Sequence, residues 1–474
     1  MRIRRHIIML LALVLASAAQ AERKEIHILS TNDMHSSMSN FPQLAALADS
    51  LRGIDPELLI LSAGDNRTGN PLNDLFEIPA YPMVALMNQV GYDATTLGNH
   101  EFDVRSLARL IPLSNFSYIC ANIFADDTTG IRTIPYKIFD VRGMKVGVIG
   151  VVQINKWGRP DTHPDNLQGV RFIVPSEAIS QYECLSRECD VTILLSHIGY
   201  EDDIRMTKAF PWIDLIVGGH THTQLTEDEP LHNDILITQN KNKLPKATHI
   251  TLTVDSGRIV GKRAEYFDLK HYPKRNKIVE QMVLGFEHNP AFSRKLAEAD
   301  EPFDNIDEIG AMVCDAFMAG TGADIAIENR RGVRLESLPA GEITMLSALA
   351  IDPFSNHAME LMLTGEELYK MIHSYSRMST SHFPHLGGII AEVKLDKKDP
   401  TVIRSFKLMT PDGKAINKKK TYKIVTNSYI TSTCNTIDPD DVHMLNSETS
   451  DLIIQFLEQQ QHVNYHGVKR ITYK

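Results

Sequence analysis

From Ile26 to Val217 the chain alternates short, unbroken apolar runs with stretches of helical period. The runs Ile26–Ser30, Leu58–Ser62, Lys145–Val152, Val191–Ser196 and Leu215–Val217 are β-branched or leucine-rich and lack a regular polar face. Strands covered on both sides read this way, so the runs predict the core of an α/β domain. Several of them end in a cluster of Gly, Asn, Asp or His, the place where open α/β sheets gather ligands. A hairpin is expected over His249–Val260, turning at Asp255-Ser256-Gly257. In residues 272–297 the period changes: Ile278, Val279, Met282, Val283 and Phe286 share one helical face beside lysines and Pro290, which predicts a linker helix. Beyond residue 300, strand-like runs (Asp324–Ile327, Ile389–Leu395, Tyr422–Thr426) mix with helices. In one of these helices Leu368, Met371, Ile372 and Tyr375 form a stripe that reads as core.

Composition narrows the class. A chain of 474 residues suggests two or three domains, and the change near residue 270 favours two. With 43% apolar and 23% charged residues it is neither disordered, collagenous nor a many-span membrane protein. The formal net charge of −10 argues against binding a nucleic-acid polymer. An acidic protein that handles an anionic substrate needs some other attraction, and a metal ion supplies one. Residues 1–21 read as a cleavable export signal: Arg2, Arg4 and Arg5, then the apolar run Ile7–Ala16, then Ala19-Gln20-Ala21. That run is too short to span a bilayer, and no other segment is long and apolar enough for an integral span. A periplasmic or secreted location is expected. Five cysteines (Cys120, Cys184, Cys189, Cys314, Cys434) form no disulfide framework and read as buried thiols. Cys184 and Cys189 are near enough to pair only if the helix they share frays.

Five short segments place metal-ligand side chains directly after an apolar run: Asp33-Met34-His35, Gly64-Asp65-Asn66, Gly98-Asn99-His100-Glu101-Phe102-Asp103, Ser196-His197 and Gly218-Gly219-His220-Thr221-His222. Each alone is a weak signal. Together, in this order, they predict a centre for two divalent metal ions, manganese or zinc first, with iron or cobalt also compatible with these ligand types. Two ions about 3.5–4 Å apart need a bridging carboxylate, and Asp65 has two oxygens to offer. Asp33, His35 and His222 complete one ion; Asn99, His197 and His220 complete the other. Such ions lower the pKa of bound water to about 7 and provide a hydroxide nucleophile. His100 is then left for the leaving group, with Asp103 three residues on to fix its tautomer.

These segments, with Gly-Asp-Asn-Arg-Thr-Gly-Asn-Pro from Gly64 and Gly-Asn-His-Glu-Phe-Asp from Gly98, resemble the calcineurin-like metallophosphoesterases, and the 5′-nucleotidase branch fits best. The likeness continues through Ala121-Asn122-Ile123, Thr321-Gly322-Ala323-Asp324, Asn329 to Arg334, Gly341-Glu342-Ile343-Thr344, Pro353-Phe354-Ser355-Asn356 and Leu363-Thr364-Gly365-Glu366. It implies an α/β fold in which a four-layer α/β/β/α metallophosphoesterase domain (22–268) is joined by a linker helix (269–298) to a smaller α+β C-terminal substrate-binding domain (299–474). It also implies substrate contacts: Arg334 beside the metals, Asn329 on the base, and Phe383 as one of two aromatics that sandwich the base. Three features depart from the family: an arginine often found just before the first helix of the C-terminal domain is not evident near Asn305-Ile306-Asp307, and two changes fall among the expected substrate contacts. Arg330 and Arg331 stand where it has glycines, crowding the pocket or gripping a further anion. The Gly-Gly-Asp-Gly-aromatic motif that carries the second ring is absent after Tyr429, which is the nearest substitute. The resemblance implies a small-molecule nucleotide as partner: an exported two-metal phosphohydrolase acting on nucleoside 5′-monophosphates. The departures favour an alternative in which the same centre acts on UDP-sugars, cyclic nucleotides or another small phosphate ester. A non-catalytic extracellular binding protein is the least favoured reading, because every expected metal ligand and His100 are present.

Overall fold

The computed structural model describes residues 23–474 except 289, 355, 379–382, 398, 400, 401, 435 and 438–440. The expected export signal lies outside the described residues. No described helix is long and apolar enough to cross a membrane. The chain divides into two compact units. The first holds the residues up to Arg67, Tyr81–Asp161 and Leu167–Leu284; the second holds Thr68–Ala80, Thr162–Asn166 and Gly285–Lys474. Two short segments of the first half therefore group with the second unit.

The first unit contains two sheets. One runs β11-β10-β1-β2-β3-β4, built from β1 (Lys24–Thr31), β2 (Leu59–Ser62), β3 (Ala94–Thr95), β4 (Ser117–Tyr118), β10 (Lys246–Asp255) and β11 (Arg258–Asp268). The other runs β9-β8-β7-β6-β5, built from β5 (Tyr136–Val141), β6 (Met144–Val152), β7 (Val191–His197), β8 (Leu215–Gly218) and β9 (Leu236–Thr238). Strands β1 to β4 are mutually parallel, as are β6 to β9.

The unbroken apolar runs have a simple cause, because successive side chains of a strand point to opposite faces. Val146, Val148, Ile193, Leu195, Leu215 and Val217 share one core with Ile26, Ile28, Leu59 and Leu61 of the other sheet. Ile149, Val151, Leu194 and Ile216 point the other way, into a core with Ala178, Ile179 and Leu185 of the overlying helical turns. Leu29 and Ile60 are equally buried on the outer side of the first sheet. The helices α1 (Phe41–Arg52) and α2 (Tyr81–Val90) bury Phe41, Leu44, Met83 and Leu86. The layers are thus α/β/β/α. Each fully buried Val, Leu or Ile contributes roughly 1.5–3 kcal/mol, so a polar residue at any of these alternating positions disrupts one of two cores.

The expected hairpin is longer than its sequence signal. Strands β10 and β11 pair from Lys246 to Asp268, and the turn residues Ser256 and Gly257 have φ of 55° and 74°. Two positive φ values define the type I′ turn that matches strand twist. The expected linker helix is present as Lys277–Glu287, but its buried face is narrower than its pattern: Val279 and Val283 are buried, whereas Ile278 is exposed. Cys184 and Cys189 are free thiols on either side of an intact helical turn, Leu185–Glu188.

The second unit is α+β. Its five-stranded sheet runs β14-β12-β15-β13-β16, from β12 (Ile325–Glu328), β13 (His357–Thr364), β14 (His385–Gly387), β15 (Thr421–Asn427) and β16 (Val442–Glu448). Here too one strand feeds two cores. Ala326 packs with Ile309, Met312 and Phe317 of helix α3 (Ile306–Thr321), and Ile325 and Ile327 pack with Leu368, Met371 and Ile372 of helix α4 (Gly365–Met378). Helix α3 starts where Asn305 accepts the backbone N–H groups of Asp307 and Glu308, and it stops at Gly322 with φ 65°.

Candidate metal centre

The five expected segments all leave carboxyl ends of parallel strands in the first unit. Asp33 and His35 follow β1, Asp65 follows β2, and Asn99 and His100 follow β3. His197 ends β7, and His220 and His222 follow β8. The turns are tight. Asp33, His35, Asp65, His220 and His222 all have positive φ, between 46° and 76°. Non-glycine residues adopt that region at a cost of order 1–3 kcal/mol each, and the surrounding structure has to hold them there. Glycines make the necessary room. A Cβ on Gly98 would lie 2.1 Å from Asp65 Oδ1, and one on Gly219 would lie 3.0 Å from both Asp33 Oδ2 and His197 Nδ1.

The ligand-type atoms converge. Three overlapping groups, Asp33/His35/His222, Asp33/Asp65/His197 and His35/Asp65/His100, each have their donor atoms within 4.8 Å of one another. Asp65 Oδ2 lies 3.1 Å from His197 Nε2 and 4.0 Å from both His35 Nε2 and His100 Nε2. Asp33 Oδ1 lies 3.3 Å from His222 Nε2 and 4.0 Å from His197 Nε2. His35 Nε2 and His222 Nε2 are 3.1 Å apart, and His220 Nδ1 is 3.0 Å from Asn99 Oδ1. All seven expected ligands therefore belong to one connected cluster. Asp33, as well as Asp65, faces more than one imidazole.

The chemistry of this donor set fits divalent ions. His197 shows it most clearly. Its Nδ1 is 2.6 Å from the Ala63 carbonyl, which can only accept, so Nδ1 carries the proton. In the neutral ring Nε2 is then a lone pair, fully buried, without a hydrogen-bond partner, and aimed at a carboxylate oxygen. Two acceptors face each other across 3.1 Å, an arrangement that calls for a cation between or beside them. Without one, protonation substitutes. Burial alone would lower the His197 pKa, but the Asp65 and Asp33 carboxylates outweigh it and raise it to about 10. Burial likewise pushes the Asp65 carboxyl up, and the His197, His100 and His35 rings more than reverse that, holding it well below the usual range.

His100 and Asp103 form a separate dyad. His100 Nδ1 is 2.6 Å from Asp103 Oδ2, and the His100 backbone N–H donates to Asp65 Oδ1 at 2.8 Å. Donation from Nδ1 to a carboxylate orients the ring and turns Nε2 toward the cluster.

One residue in the motif had drawn no role from sequence. Glu101 is buried, and its carboxylate ties two ligand loops together: Oε2 accepts Asp65 N–H (2.9 Å) and Gly98 N–H (2.6 Å), and Oε1 accepts Asn66 N–H (2.9 Å). An acid lodged between His100 and Asp103, in a segment rich in ligand-type residues, is the available signal.

The expected substrate residues belong to the second unit and look different. Asn329 is buried; Asn427 Nδ2 donates to both Glu328 oxygens at 2.9 and 2.8 Å, and the amide orientation that satisfies Asn329 has it donating to Glu328 Oε1 at 3.0 Å and accepting Gly332 N–H at 2.7 Å. Arg334 is half-buried, with its guanidinium 5.6 Å from the centre of the Phe354 ring. Phe383 requires a correction: it is fully buried in the second unit's core, edge-on to Phe406 at 5.1 Å. A ring so enclosed packs, and it has no face for a base to stack on. Arg330 pairs with Asp307 through both guanidinium nitrogens on the first turn of α3, so its charge is already matched. Arg331 is exposed.

Comparison with known proteins bears on both units. The calcineurin-like phosphoesterase family matches residues 26–224, and the 5′-nucleotidase C-terminal domain family matches residues 288–438. The chain is 27% identical over 490 residues to a 5′-nucleotidase of Vibrio cholerae, covering 85% of this chain and 84% of that protein. It is 24% identical over 477 residues to a trifunctional nucleotide phosphoesterase of Bacillus subtilis, covering 86% of this chain but only 32% of that much longer protein. Among solved structures, a 5′-nucleotidase precursor from Thermus thermophilus superposes with a TM-score of 0.82 at 20% identity, over 95% of this chain and 99% of its own. That likeness is one of fold.

Proposed function

We propose that this chain, which belongs to the calcineurin-like phosphoesterases carrying a 5′-nucleotidase C-terminal domain, is an exported two-metal hydrolase that releases phosphate from nucleoside 5′-monophosphates. The observation that carries the reading is the arrangement around Asp65. One carboxylate oxygen faces three imidazole nitrogens at 3.1–4.0 Å, and the nearest, His197 Nε2, is buried without a hydrogen-bond partner. Asp33, His35, Asp65, Asn99, His197, His220 and His222 would hold two divalent ions there. When bound, such ions neutralise phosphate charge and acidify a water molecule.

The remaining steps fall to the chain's own groups. The Ala63 carbonyl fixes the His197 tautomer, so that in the neutral ring Nε2 is the free electron pair. The His100 backbone N–H holds Asp65 Oδ1 and leaves Oδ2 directed at the imidazoles. Glu101 clamps the Asp65 and Gly98 loops at one spacing. His100, with Nδ1–H on Asp103, presents Nε2 to hold and deliver the proton that the leaving ester oxygen takes up.

A second reading keeps the same centre and changes the ester. Phe383, expected to stack on the base, is enclosed, and Arg330, expected to crowd the pocket or grip a further anion, is paired with Asp307. UDP-sugars, cyclic nucleotides or another small phosphate ester are then the alternatives. Turnover of 5′-AMP, UMP, UDP-glucose, 2′,3′-cyclic AMP and para-nitrophenyl phosphate by the manganese-loaded protein decides, read by chromatography of the products because the diester and the sugar nucleotide give phosphate monoesters rather than free phosphate, with His100→Ala as control. Preference for AMP or UMP supports the first reading. Turnover confined to the diester, the sugar nucleotide or the aryl ester overturns it in favour of the second.

A further inference from the structure

The loop that leaves β6 carries a pair of cations with no assigned role. It runs from Gln153 to Asp161, at the carboxyl end of a strand parallel to β7. Both of its ends are fastened to expected metal ligands. The Gln153 backbone N–H donates to the His197 carbonyl at 2.8 Å, and Asn99 Nδ2 donates to the Asp161 carbonyl at 3.2 Å. The Asp161 side chain cross-ties the base, accepting from Gln153 Nε2 at 3.2 Å and from Asn155 Nδ2 at 3.0 Å. The tip is a formed turn. Asn155 N–H donates to the Arg159 carbonyl (2.8 Å) and Gly158 N–H to the Asn155 carbonyl (2.9 Å); Asn155 Oδ1 accepts Trp157 N–H (3.0 Å), and Gly158 has φ 73°.

At that tip Lys156 Nζ lies 4.4 Å and the Arg159 guanidinium 5.6 Å from the Trp157 ring centre. Among the described residues neither cation has a carboxylate partner, and Arg159 Nε is buried without a hydrogen-bond partner. Two cations without a carboxylate partner, side by side on one indole of a hydrogen-bonded loop, concentrate positive charge in a chain whose 59 Asp and Glu outnumber its 49 Lys and Arg. Trp157 is four residues from each fastened end, which keeps its backbone within about 14 Å of both.

We propose that Lys156 and Arg159, aligned by Trp157, form an anion subsite that takes a second phosphoryl group of the substrate, the one beyond the phosphate held at the metal centre. This rests on the phosphohydrolase reading above. The subsite favours a nucleoside diphosphate over the corresponding monophosphate, because only the longer substrate brings charge to the loop. Both cations act by binding; neither touches the reacting atoms.

The test uses the full mature chain with manganese. In wild type and in Lys156→Ala/Arg159→Ala, kcat and KM are measured for ADP and AMP. The expected result is a fall of at least about tenfold in the ADP-to-AMP ratio of kcat/KM, arising in KM for ADP. A ratio that does not change overturns the proposal. A second readout needs no turnover. With Trp212→Phe, Trp157 is the sole tryptophan, and ADP should quench its fluorescence in a saturable way that Lys156→Ala/Arg159→Ala abolishes. Loss of AMP hydrolysis in the wild type itself would sink the nucleotidase reading while leaving this binding signal to be judged alone. Intact AMP hydrolysis with no ADP signal would sink only the subsite.

Discussion

The metal-type centre of the first unit and the amide–carboxylate cluster of the second are both polar clusters at strand ends, yet they are built on opposite principles. In the first, an acceptor faces an acceptor whenever the imidazole is neutral: His197 Nε2 against Asp65 Oδ2. In the second, donors meet acceptors. Asn427 caps the helical turn that follows it through Oδ1 and gives Nδ2 to both oxygens of Glu328, while Arg330 is matched to Asp307. A cluster that its own hydrogen bonds satisfy is complete as it stands. One that leaves acceptors opposed calls for a cation, or failing that a proton, from outside. The contrast separates a site from a structural polar core more sharply than residue type does, because both contain buried acids and amides.

The contrast can be broken at several points. Asp65→Ala removes the carboxylate that three imidazoles share and should abolish metal uptake and turnover together, as read by metal analysis alongside phosphate release. His100→Ala should keep both ions and lower turnover by about 10²–10⁴-fold, the usual contribution of a positioned acid. Loss of an ion in that variant would move His100 into the ligand set, which its place beside His35 and Asp65 makes a fair test. Glu101→Ala unties the Asp65 and Gly98 loops. It should weaken metal affinity by roughly 10–100-fold, the scale of other supporting residues around metal ligands, as measured by competition with a chelator.

Predictions for the second unit concern stability. Phe383→Ala should cost about 3–5 kcal/mol in urea unfolding, as for other enclosed phenylalanines, whereas a base-stacking ring would instead raise KM with stability little changed. The smallest effect involves pH. Burial raises the Asp352 carboxyl to about 6, so the native state binds more protons than the unfolded chain between about pH 4 and 6. Stability should therefore fall as pH rises through that window, by up to about 3 kcal/mol. Asp352→Asn should flatten the fall. A variant curve parallel to wild type would place the cause elsewhere.

Much of the first unit was legible in the chain because its signals are local. A strand buried on both faces has to be apolar throughout, and a ligand placed immediately after it is presented at the sheet's carboxyl edge wherever the strand lies. Asp33, Asp65, His197 and His220 could be picked out that way. Glu101 could not be given a role, since its partners Asp65, Asn66 and Gly98 belong to two loops that only the sheet brings together. Phe383 failed for the reverse reason. Its sequence neighbourhood resembles a nucleoside-binding motif, but whether a ring faces a ligand or Phe406 depends on packing from a strand more than twenty residues away.

By itself the sequence determined the two-part organisation, the sandwich strands, and the identity and order of the ligand-type side chains. These follow from period, from burial on both strand faces, and from the chemistry of Asp, Asn and His. The tertiary structure decided which polar atoms oppose one another, that Asp33 as well as Asp65 faces more than one imidazole, that Arg330 is neutralised by Asp307, and that Lys156 and Arg159 have no carboxylate partner among the described residues. Those outcomes depend on distances of 3–4 Å between atoms far apart in the chain, and residue spacing carries no record of them.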